Sequence, residues 1–346
     1  MILDDSKVPV NLEEGDFNDR STLSVAVETG NMDAVNLLLT RVRWRDLPKV
    51  PGASYIDPDL RDWTGSTALF LAAQAGYAYI VDALLEFVGN VNIQNQENVT
   101  PLMAAAKLNR LSVVKRLLDD RRIKPNKTGS SRNTALHEAA NYGHFKMAKH
   151  FLAQGIRIRL QVPNSGLRTP LALAARNGMI KTVKALLTTS HPDSEMEDAP
   201  DLNGHIPLTH AVVTGHIKIV RSFLASTRLQ VDNPDTRGVT PLMTAARVSY
   251  LEVVKLLLRD GRVDPDRTGP KHNYTAFTIA AQSFGKTSVV KELVQDRRVS
   301  LDGRDDEGCT SLVEAARFRH TDIVRILLVF GRVNPNVADN LGRTPL

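Results

Sequence analysis

The chain has 346 residues, of which 42% are hydrophobic and 24% charged, a composition that supports a folded core and argues against disorder along the whole length. It contains no uncharged apolar run near the roughly 18 residues that a membrane span needs, and its acidic N-terminus lacks the apolar segment of a secretory signal. The single cysteine, Cys309, excludes an intrachain disulfide and, with a net charge of +6, favours an intracellular protein, cytoplasmic or nuclear.

Two acidic segments interrupt an otherwise basic chain. Residues 1–20 carry six acidic and two basic residues, and residues 189–203 carry five acidic residues and no lysine or arginine. The rest of the chain therefore has a net charge of +15, which indicates an anionic partner. Because aromatic residues are only 5% of the chain and do not alternate with basic ones, we do not expect that partner to be a nucleic acid.

A ten-residue pattern recurs from residue 21 to the end of the chain. Its first position is at residues 21, 67, 100, 134, 169, 206, 240, 275, 310 and 344. After a first interval of 46 residues, every interval is between 33 and 37. A period near 34 residues predicts an array of stacked structural repeats.

Each copy predicts a pair of helices. The leading Thr is a good N-cap, and the Pro that often follows needs no hydrogen-bond partner at the first helical position. An Ala-Ala pair then gives the first helix a narrow face, and a Gly suited to a left-handed conformation ends it. A second amphipathic run follows, such as Val253–Leu258. Since no unit can bury its apolar face alone, the units must stack.

The strings TALHEAANYGH (134–144) and DTRGVTPLMTAARVSYLEVVKLLLRDGRVD (235–264) resemble ankyrin repeats, and the resemblance covers about residues 20–346. It implies an all-α solenoid of stacked helix-turn-helix units with protruding finger loops. We expect an acidic N-terminal segment at 1–19, then an array over 20–346 of about nine repeats and the start of a tenth. The implied function is that of a non-catalytic, intracellular scaffold or adaptor for protein–protein interaction.

The array departs from the family pattern at several places. Insertions are expected near 41–61 and 188–203, and the acidic second insertion could cover a basic groove. Asn109, Ser249 and Arg319 replace the Gly that ends the first helix, and Asn tolerates that conformation better than the other two. The last repeat shows no polar capping face. Either the natural protein continues, or the edge of the ninth repeat is frayed or covered.

Several short motifs suggest chemistry but lack an essential part. His137-Glu138 begins a zinc-protease motif without its second histidine, and His137 also occupies the family's structural histidine position. Gly285-Lys286-Thr287 lacks the first Gly and the strand of a phosphate loop, and we expect Lys286 to face solvent. Cys309 has no marked base. We therefore predict no catalytic, cofactor or metal site, and a trio of His205, His210 and His216 is at best weak.

The residues after each Ala-Ala pair are expected to line the concave face that such arrays use for binding. Four of these pairs contain a basic residue and none contains an acidic one. Because Arg can bind carboxylates in bidentate fashion, the row predicts an acidic or extended protein partner. The expected contact residues, with two finger residues at the rim, are Trp63, Lys107, Asn141, Tyr142, Arg176, Asn177, Thr214, Arg237, Arg247, Gln282 and Arg317.

Three alternatives remain open from the sequence. The basic row could be a set of solvated surface charges without a partner. The groove could serve as the active site of an enzyme, although no general acid–base pair can be named. The array could also be the regulatory or targeting region of a longer polypeptide. The sequence indicates no membrane partner and does not determine the oligomeric state.

Overall fold

A computed structural model describes residues 16–40, 56–160, 162–188, 198–269, 273–283, 285–330 and 332–345. Most of the acidic N-terminal segment, most of the first expected insertion and the larger part of the second lie outside these ranges. The chain divides into two compact units, residues 1–165 and 166–346. Within the described ranges the regular structure is helical, and the one β-type pairing is an isolated bridge between Arg61 and Thr67.

The first unit contains four described helix pairs, as the repeat period predicts. The first helix of each pair is called the inner helix and the second the outer helix. Inner helices pack on the inner helices of adjacent pairs, and outer helices on outer helices. The helices are α1 (Thr22–Glu28), α2 (Met32–Thr40), α3 (Ala68–Ala75), α4 (Ala78–Leu85), α5 (Pro101–Lys107), α6 (Leu111–Asp119), α7 (Ala135–Asn141) and α8 (Phe145–Leu152), followed by a 3-10 turn, Gly155–Arg157.

The second unit contains five described helix pairs built in the same way. Inner helices again follow one another in one layer and outer helices in a second layer. Together the two units confirm the nine predicted repeats within the described residues. The helices are α9 (Pro170–Arg176), α10 (Ile180–Leu187), α11 (Pro207–Val213), α12 (Ile217–Leu224), α13 (Pro241–Val248), α14 (Leu251–Arg259), α15 (Ala276–Ala281), α16 (Thr287–Gln295), α17 (Ser311–Arg317) and α18 (Thr321–Val329).

Threonine N-caps fix where the inner helices begin. In α13, for example, the Thr240 hydroxyl accepts a hydrogen bond from the backbone N–H of Met243 at 3.2 Å. Each such cap satisfies a donor that the helix cannot, a contribution of about 1 kcal/mol. In the sixth repeat Ile206 takes this position and makes no side-chain cap. The capping threonines are Thr67, Thr100, Thr134, Thr169, Thr240, Thr275 and Thr310.

The core of each unit lies between the two helix layers. The Ala-Ala pairs of the inner helices, such as Ala105 and Ala106, are fully buried, and their small side chains let adjacent inner helices approach closely. Larger side chains from the outer helices fill the space between layers, including Phe151 in the first unit and Phe223 in the second. Burial of this kind is the main source of stability in stacked repeats.

A residue in the left-handed conformation ends most inner helices, including those that lack the expected Gly. Asn109, Ser249 and Arg319 adopt φ values of 59°, 61° and 59°. A non-glycine residue in this conformation costs about 1–2 kcal/mol. The stacking of the helix pairs therefore holds the turn geometry even where Ser or Arg occupies the position.

Most fingers, the turns before the inner helices, are built around the side chain of their first residue. In the seventh repeat, Asp235 Oδ1 accepts hydrogen bonds from the backbone N–H groups of Arg237 and Val239, both at 2.8 Å. Consecutive fingers are joined by backbone bonds, such as Thr236 N–H to the carbonyl of Asn203 at 2.9 Å. The same side-chain bonds are made by Asp62, Asn95, Asp201, Asp305 and Asp339.

None of the helices in the described ranges is long and apolar enough to cross a lipid bilayer.

Candidate functional site

The predicted partner-binding row lies at the C-terminal ends of the inner helices. Its basic members, Lys107, Arg176, Arg247 and Arg317, each lie in the last turn of an inner helix and are exposed. Positive charge in that position also interacts favourably with the helix dipole. We call the exposed residues at these positions, including Lys107, Arg176, Arg247 and Arg317, the inner-helix ends.

In the second unit, only some of the predicted residues are available to a partner. Arg317 donates to Glu307 at 2.9 Å and lies 3.4 Å from Glu314, so acidic neighbours neutralise it. The side chain of Gln282 is half-buried and donates to Glu314 at 2.9 Å. Arg237, on a finger, is paired with Asp235 at 3.2 Å. These pairings were not predicted from the sequence, because the prediction considered only the two residues after each Ala-Ala pair, and Glu307, Glu314 and Asp235 lie elsewhere.

Arg176 and Arg247 are the two basic residues of this row in the second unit that form no ion pair with another described residue. They lie on α9 and α13, and α11 packs against both of these helices. Two successive helix–helix distances place the two arginines about 20 Å apart. The exposed Thr214 lies at the end of α11 between them, and its hydroxyl donates to the His210 carbonyl of its own helix at 2.9 Å. Asn177, next to Arg176, is also exposed.

In the first unit, the row carries less charge and more aromatic surface. Lys107 is exposed at the end of α5. At the end of α7, Asn141 is half-buried, and the exposed ring of Tyr142 stacks on His144 with ring centres 6.0 Å apart. On a finger, the side chain of Trp63 is 59% exposed. These residues form a separate set from Arg176 and Arg247, which belong to the other unit.

A second row of polar side chains is structural. In five of the described repeats, the residue before the outer helix reaches back to a carbonyl at the end of the inner helix of the preceding repeat, 36–40 residues earlier in the chain. His144 contacts the Lys107 carbonyl at 3.0 Å, and His216 contacts that of Arg176 at 3.2 Å. His216 is thus engaged away from His205 and His210, so the suggested histidine trio is wrong. The same position is used by Arg110, Lys286 and His320.

Two of the rejected motifs also have structural roles. The His137 ring contacts the Thr134 N–H at 3.2 Å and the Thr134 hydroxyl at 2.9 Å, which caps α7. Lys286 is half-buried rather than fully solvent-facing as expected, and its ammonium group donates to the Arg247 carbonyl. Burial, and then the charge of Arg247, lower the pKa of Lys286. Ala280 lies in a helix rather than a strand, so a phosphate loop is not formed there.

A third row consists of arginines just after the outer helices, which we call the outer-end arginines. The guanidinium of Arg262 donates to the carbonyls of Leu224, Ser226 and Leu229 at 2.7, 2.8 and 3.2 Å. Cations that bind the last carbonyls of a helix stabilise its C-terminus. Part of the chain's basic charge therefore joins repeats together. The row comprises Arg122, Arg157, Arg262, Arg298 and Arg332.

A buried polar cluster lies in the sixth repeat, where the sequence predicted no site. Asp201 Oδ2 is 3.2 Å from His210 Nε2 and 3.9 Å from His205 Nδ1. His205 Nε2 is 3.5 Å from Oδ2 of Asp235, on the next finger. Asp201 and His210 are nearly fully buried, whereas His205 is partly exposed. We call Asp201, His205 and His210 the repeat-six cluster.

His210 is poorly solvated as a cation. Burial is the main cause that lowers the pKa of His210 to about 4, and Asp201 opposes this shift. The positive charges of Arg168 and Arg176 and the neighbouring His205 lower the pKa further. His210 is therefore neutral at pH 7 and carries a ring nitrogen without a proton.

The ninth repeat has a comparable cluster of Asp305, Cys309 and Glu314, all buried. Both carboxylate oxygens of Glu314 are engaged, one by Gln282 and the other by Arg317. Burial, followed by the charges of Asp305 and Glu314, raises the pKa of the Cys309 thiol to about 11. A thiol held in its protonated form is a poor nucleophile.

A positional comparison of the repeats could have found both clusters. In the fourth and ninth positions after the first finger residue, some other repeats carry apolar or small residues, such as Ser66 with Leu71 and Val239 with Thr244, whereas the fourth repeat carries Asn133 with Glu138. The sixth repeat carries His205 and His210 there, and the ninth carries Cys309 and Glu314. The relevant signal is therefore the departure from the repeat pattern rather than a ligand spacing.

Comparisons with known proteins agree with this geometry. The family profile described as "Ankyrin repeats (3 copies)" matches residues 23–129, 122–198, 171–269 and 277–346. The chain belongs to the ankyrin-repeat family. Among solved structures, the ankyrin repeat domain of Bcl-3 aligns with a TM-score of 0.59 and 22% identity, covering 69% of this chain and 99% of that one. This likeness shows the shared fold.

The curated relatives are much longer proteins. Mouse (Mus musculus) Rabankyrin-5 is 30% identical over 207 residues, which cover 59% of this chain and 17% of the relative. The ankyrin repeat protein nuc-2 of Neurospora crassa is 27% identical over 211 residues, which cover 60% of this chain and 18% of the relative. The chain therefore matches less than a fifth of these relatives.

Proposed function

We propose that this chain is a non-catalytic scaffold that binds an acidic, extended segment of a protein partner through the inner-helix ends of its second unit. Ankyrin repeats are generally protein–protein interaction modules. The finer proposal rests on one observation, that Arg176 and Arg247 are exposed and form no ion pair with a described residue, while Arg317 and Arg237 are neutralised by acidic neighbours.

The chemistry of these two arginines fits carboxylate recognition. A guanidinium can bind a carboxylate with two parallel hydrogen bonds, and a separation of about 20 Å suits an extended segment of about six residues. Asn177 and Thr214, on the same and the intervening helix, supply exposed polar groups between them. Acidic side chains spaced along an extended peptide would therefore meet both arginines.

A peptide-display experiment tests the proposal directly. The full chain is used to select from a library of random 15-residue peptides, and a selected peptide is then synthesised and its affinity measured by fluorescence anisotropy. We expect selected peptides to be acidic. The Arg176→Glu/Arg247→Glu variant should bind at least 100-fold more weakly, which corresponds to about 2.8 kcal/mol. Wild-type affinity should fall between 50 and 300 mM salt.

A charge-matched variant is the control. Lys218→Glu/Lys291→Glu makes the same change in net charge on the exposed outer helices α12 and α16. We expect this variant to bind within about threefold of the wild type. Equal losses in both double variants would mean that only net charge matters, and an unchanged affinity in the arginine variant would reject this surface.

A further inference from the structure

We propose that the repeat-six cluster, Asp201, His205 and His210, is a binding site for a divalent transition-metal ion, Zn²⁺, with Asp235 as a supporting residue. Two imidazoles and one carboxylate form a donor set that zinc accepts, and three protein ligands leave a fourth position for water. The ligand atoms of the three residues all lie within 4.8 Å of one another. This site is separate from the inner-helix ends.

The two oxygens of Asp201 have different roles. Oδ1 accepts hydrogen bonds from the backbone N–H groups of Asn203 and His205, at 2.8 and 3.0 Å, which fixes the carboxylate in the finger turn. Oδ2 points to the two histidines and, although buried, makes no hydrogen bond of acceptable geometry with a described residue. The finger thus holds in place an oxygen whose hydrogen-bonding capacity is unused.

The histidine nitrogens lie near the positions that a metal requires. Zinc binds nitrogen and carboxylate oxygen at about 2.0–2.2 Å, so ligand atoms around a tetrahedral ion are about 3.3–3.5 Å apart. Asp201 Oδ2 is 3.2 Å from His210 Nε2 and 3.9 Å from His205 Nδ1. His210 Nε2 is also buried without a hydrogen bond of acceptable geometry to a described residue. Small rotations of two side chains would complete the geometry.

The next finger supplies a carboxylate, that of Asp235, which contacts the far side of the His205 ring. When His205 binds a metal through Nδ1, its Nε2–H faces Asp235 Oδ2 at 3.5 Å, and such a carboxylate orients the imidazole and increases its basicity. Gly204 allows this approach: its φ is +78°, and a Cβ there would lie 2.5 Å from the backbone nitrogen of Thr236. The two fingers are therefore close enough for Asp235 to reach His205.

One neighbouring group opposes a bound cation. Arg168 Nε lies 3.5 Å from Asp201 Oδ2, and its positive charge competes with a metal for the same carboxylate. The Arg168 side chain is partly exposed, so it can turn toward solvent when the site is filled. Because of this competition, removal of the Arg168 guanidinium should strengthen metal binding, whereas removal of a ligand should weaken it.

The repeats themselves provide substitutions that are compatible with the fold. Asn95 makes the same finger hydrogen bonds as the aspartates, so Asp201→Asn keeps the turn and removes the ligand oxygen. Val239 and Thr244 occupy the positions of His205 and His210 in the seventh repeat. His205→Val/His210→Thr therefore replaces the cluster with side chains that an adjacent repeat already accommodates.

The experiment measures metal binding by the full chain without an affinity tag. Metal-free protein is titrated with Co²⁺, whose visible absorption reports tetrahedral coordination, and then with Zn²⁺ by calorimetry. We expect one equivalent of tightly bound metal. Asp201→Asn and the His205→Val/His210→Thr variant should weaken binding at least 100-fold. Asp235→Asn should weaken it 10- to 100-fold, as is usual when the hydrogen-bond partner of a metal-binding histidine is changed. Arg168→Gln should strengthen it about tenfold.

His216→Gln is the matched control, because this histidine belongs to the same repeat but contacts the Arg176 carbonyl. It should leave metal affinity unchanged. Circular dichroism of each variant checks that the fold is retained. The proposal is overturned if wild-type protein binds no stoichiometric metal, if His216→Gln weakens binding as much as Asp201→Asn, or if Arg168→Gln weakens it.

Discussion

Arginines at two places in the repeat have opposite roles. The outer-end arginines bind backbone carbonyls of the preceding repeat, and three of them, Arg122, Arg262 and Arg298, also pair with an aspartate two residues earlier in the chain. At the inner-helix ends, Arg176 and Arg247 form no ion pair with a described residue. Net charge alone therefore overstates how much positive surface a partner can use, because part of it is already committed to the stack.

The largest expected effect comes from removing an outer-end arginine. Arg262→Ala leaves three carbonyls near the end of α12 without their donor and leaves Asp260 without its cation. Hydrogen bonds to a charged donor contribute about 1.5–3 kcal/mol each when buried, and the 36% exposure of this side chain reduces that value. We expect a loss of about 2 kcal/mol in the free energy of unfolding, measured by urea denaturation.

The Arg262→Lys variant distinguishes the contribution of the positive charge from that of the planar guanidinium. An ammonium group keeps the charge but cannot bridge several carbonyls in a fixed plane. We expect it to recover less than half of the stability that Arg262→Ala loses. Full recovery would show that the charge alone stabilises the helix end, and no loss in either variant would remove the structural role of this row.

A smaller effect on the free energy of unfolding is expected at Arg319, which belongs neither to the outer-end arginines nor to the inner-helix ends. It ends an inner helix in the left-handed conformation with φ 59°. Arg319→Gly relieves backbone strain of about 1–2 kcal/mol but raises the entropy of the unfolded chain. We expect a net gain of about 0.5–1 kcal/mol in the free energy of unfolding.

Ser249→Gly should give a similar gain, because Ser249 has the same conformation. The reverse change, Gly178→Ala, should destabilise: its φ is +76°, and a Cβ there would lie 2.8 Å from the His216 ring. A loss of stability in Arg319→Gly would mean that the arginine side chain contributes more than its backbone strain costs.

The repeat period predicted the fold well because it depends on local signals. Thr caps, Ala pairs and the left-handed residue are all set within one repeat. The carbonyl contacts of the outer-end arginines and the contact of His205 with Asp235 were not predicted, because these partners lie on other repeats, 30 or more residues away for Arg262 and for His205. Asp201, His205 and His210 lie within one repeat, and they were missed because their signal is a departure from the repeat pattern rather than a ligand spacing. Such contacts become visible only when successive repeats are compared position by position.

The smallest expected effect on stability is at the inner-helix ends. Its size shows whether Arg247 contributes to the stability of the fold or is available for partner binding. In the last turn of α13, its charge stabilises the helix dipole by about 0.3–1 kcal/mol. The same charge repels the nearby Lys286, whose pKa it helps to lower. These two contributions to stability oppose each other, so Arg247→Ala should change the free energy of unfolding by less than about 0.5 kcal/mol, at both 50 and 300 mM salt.

Urea denaturation of Arg247→Ala beside Arg262→Ala measures the difference in stability between the two kinds of arginine. A loss above about 1 kcal/mol would place Arg247 among the structural arginines and leave Arg176 alone to carry the proposed partner site.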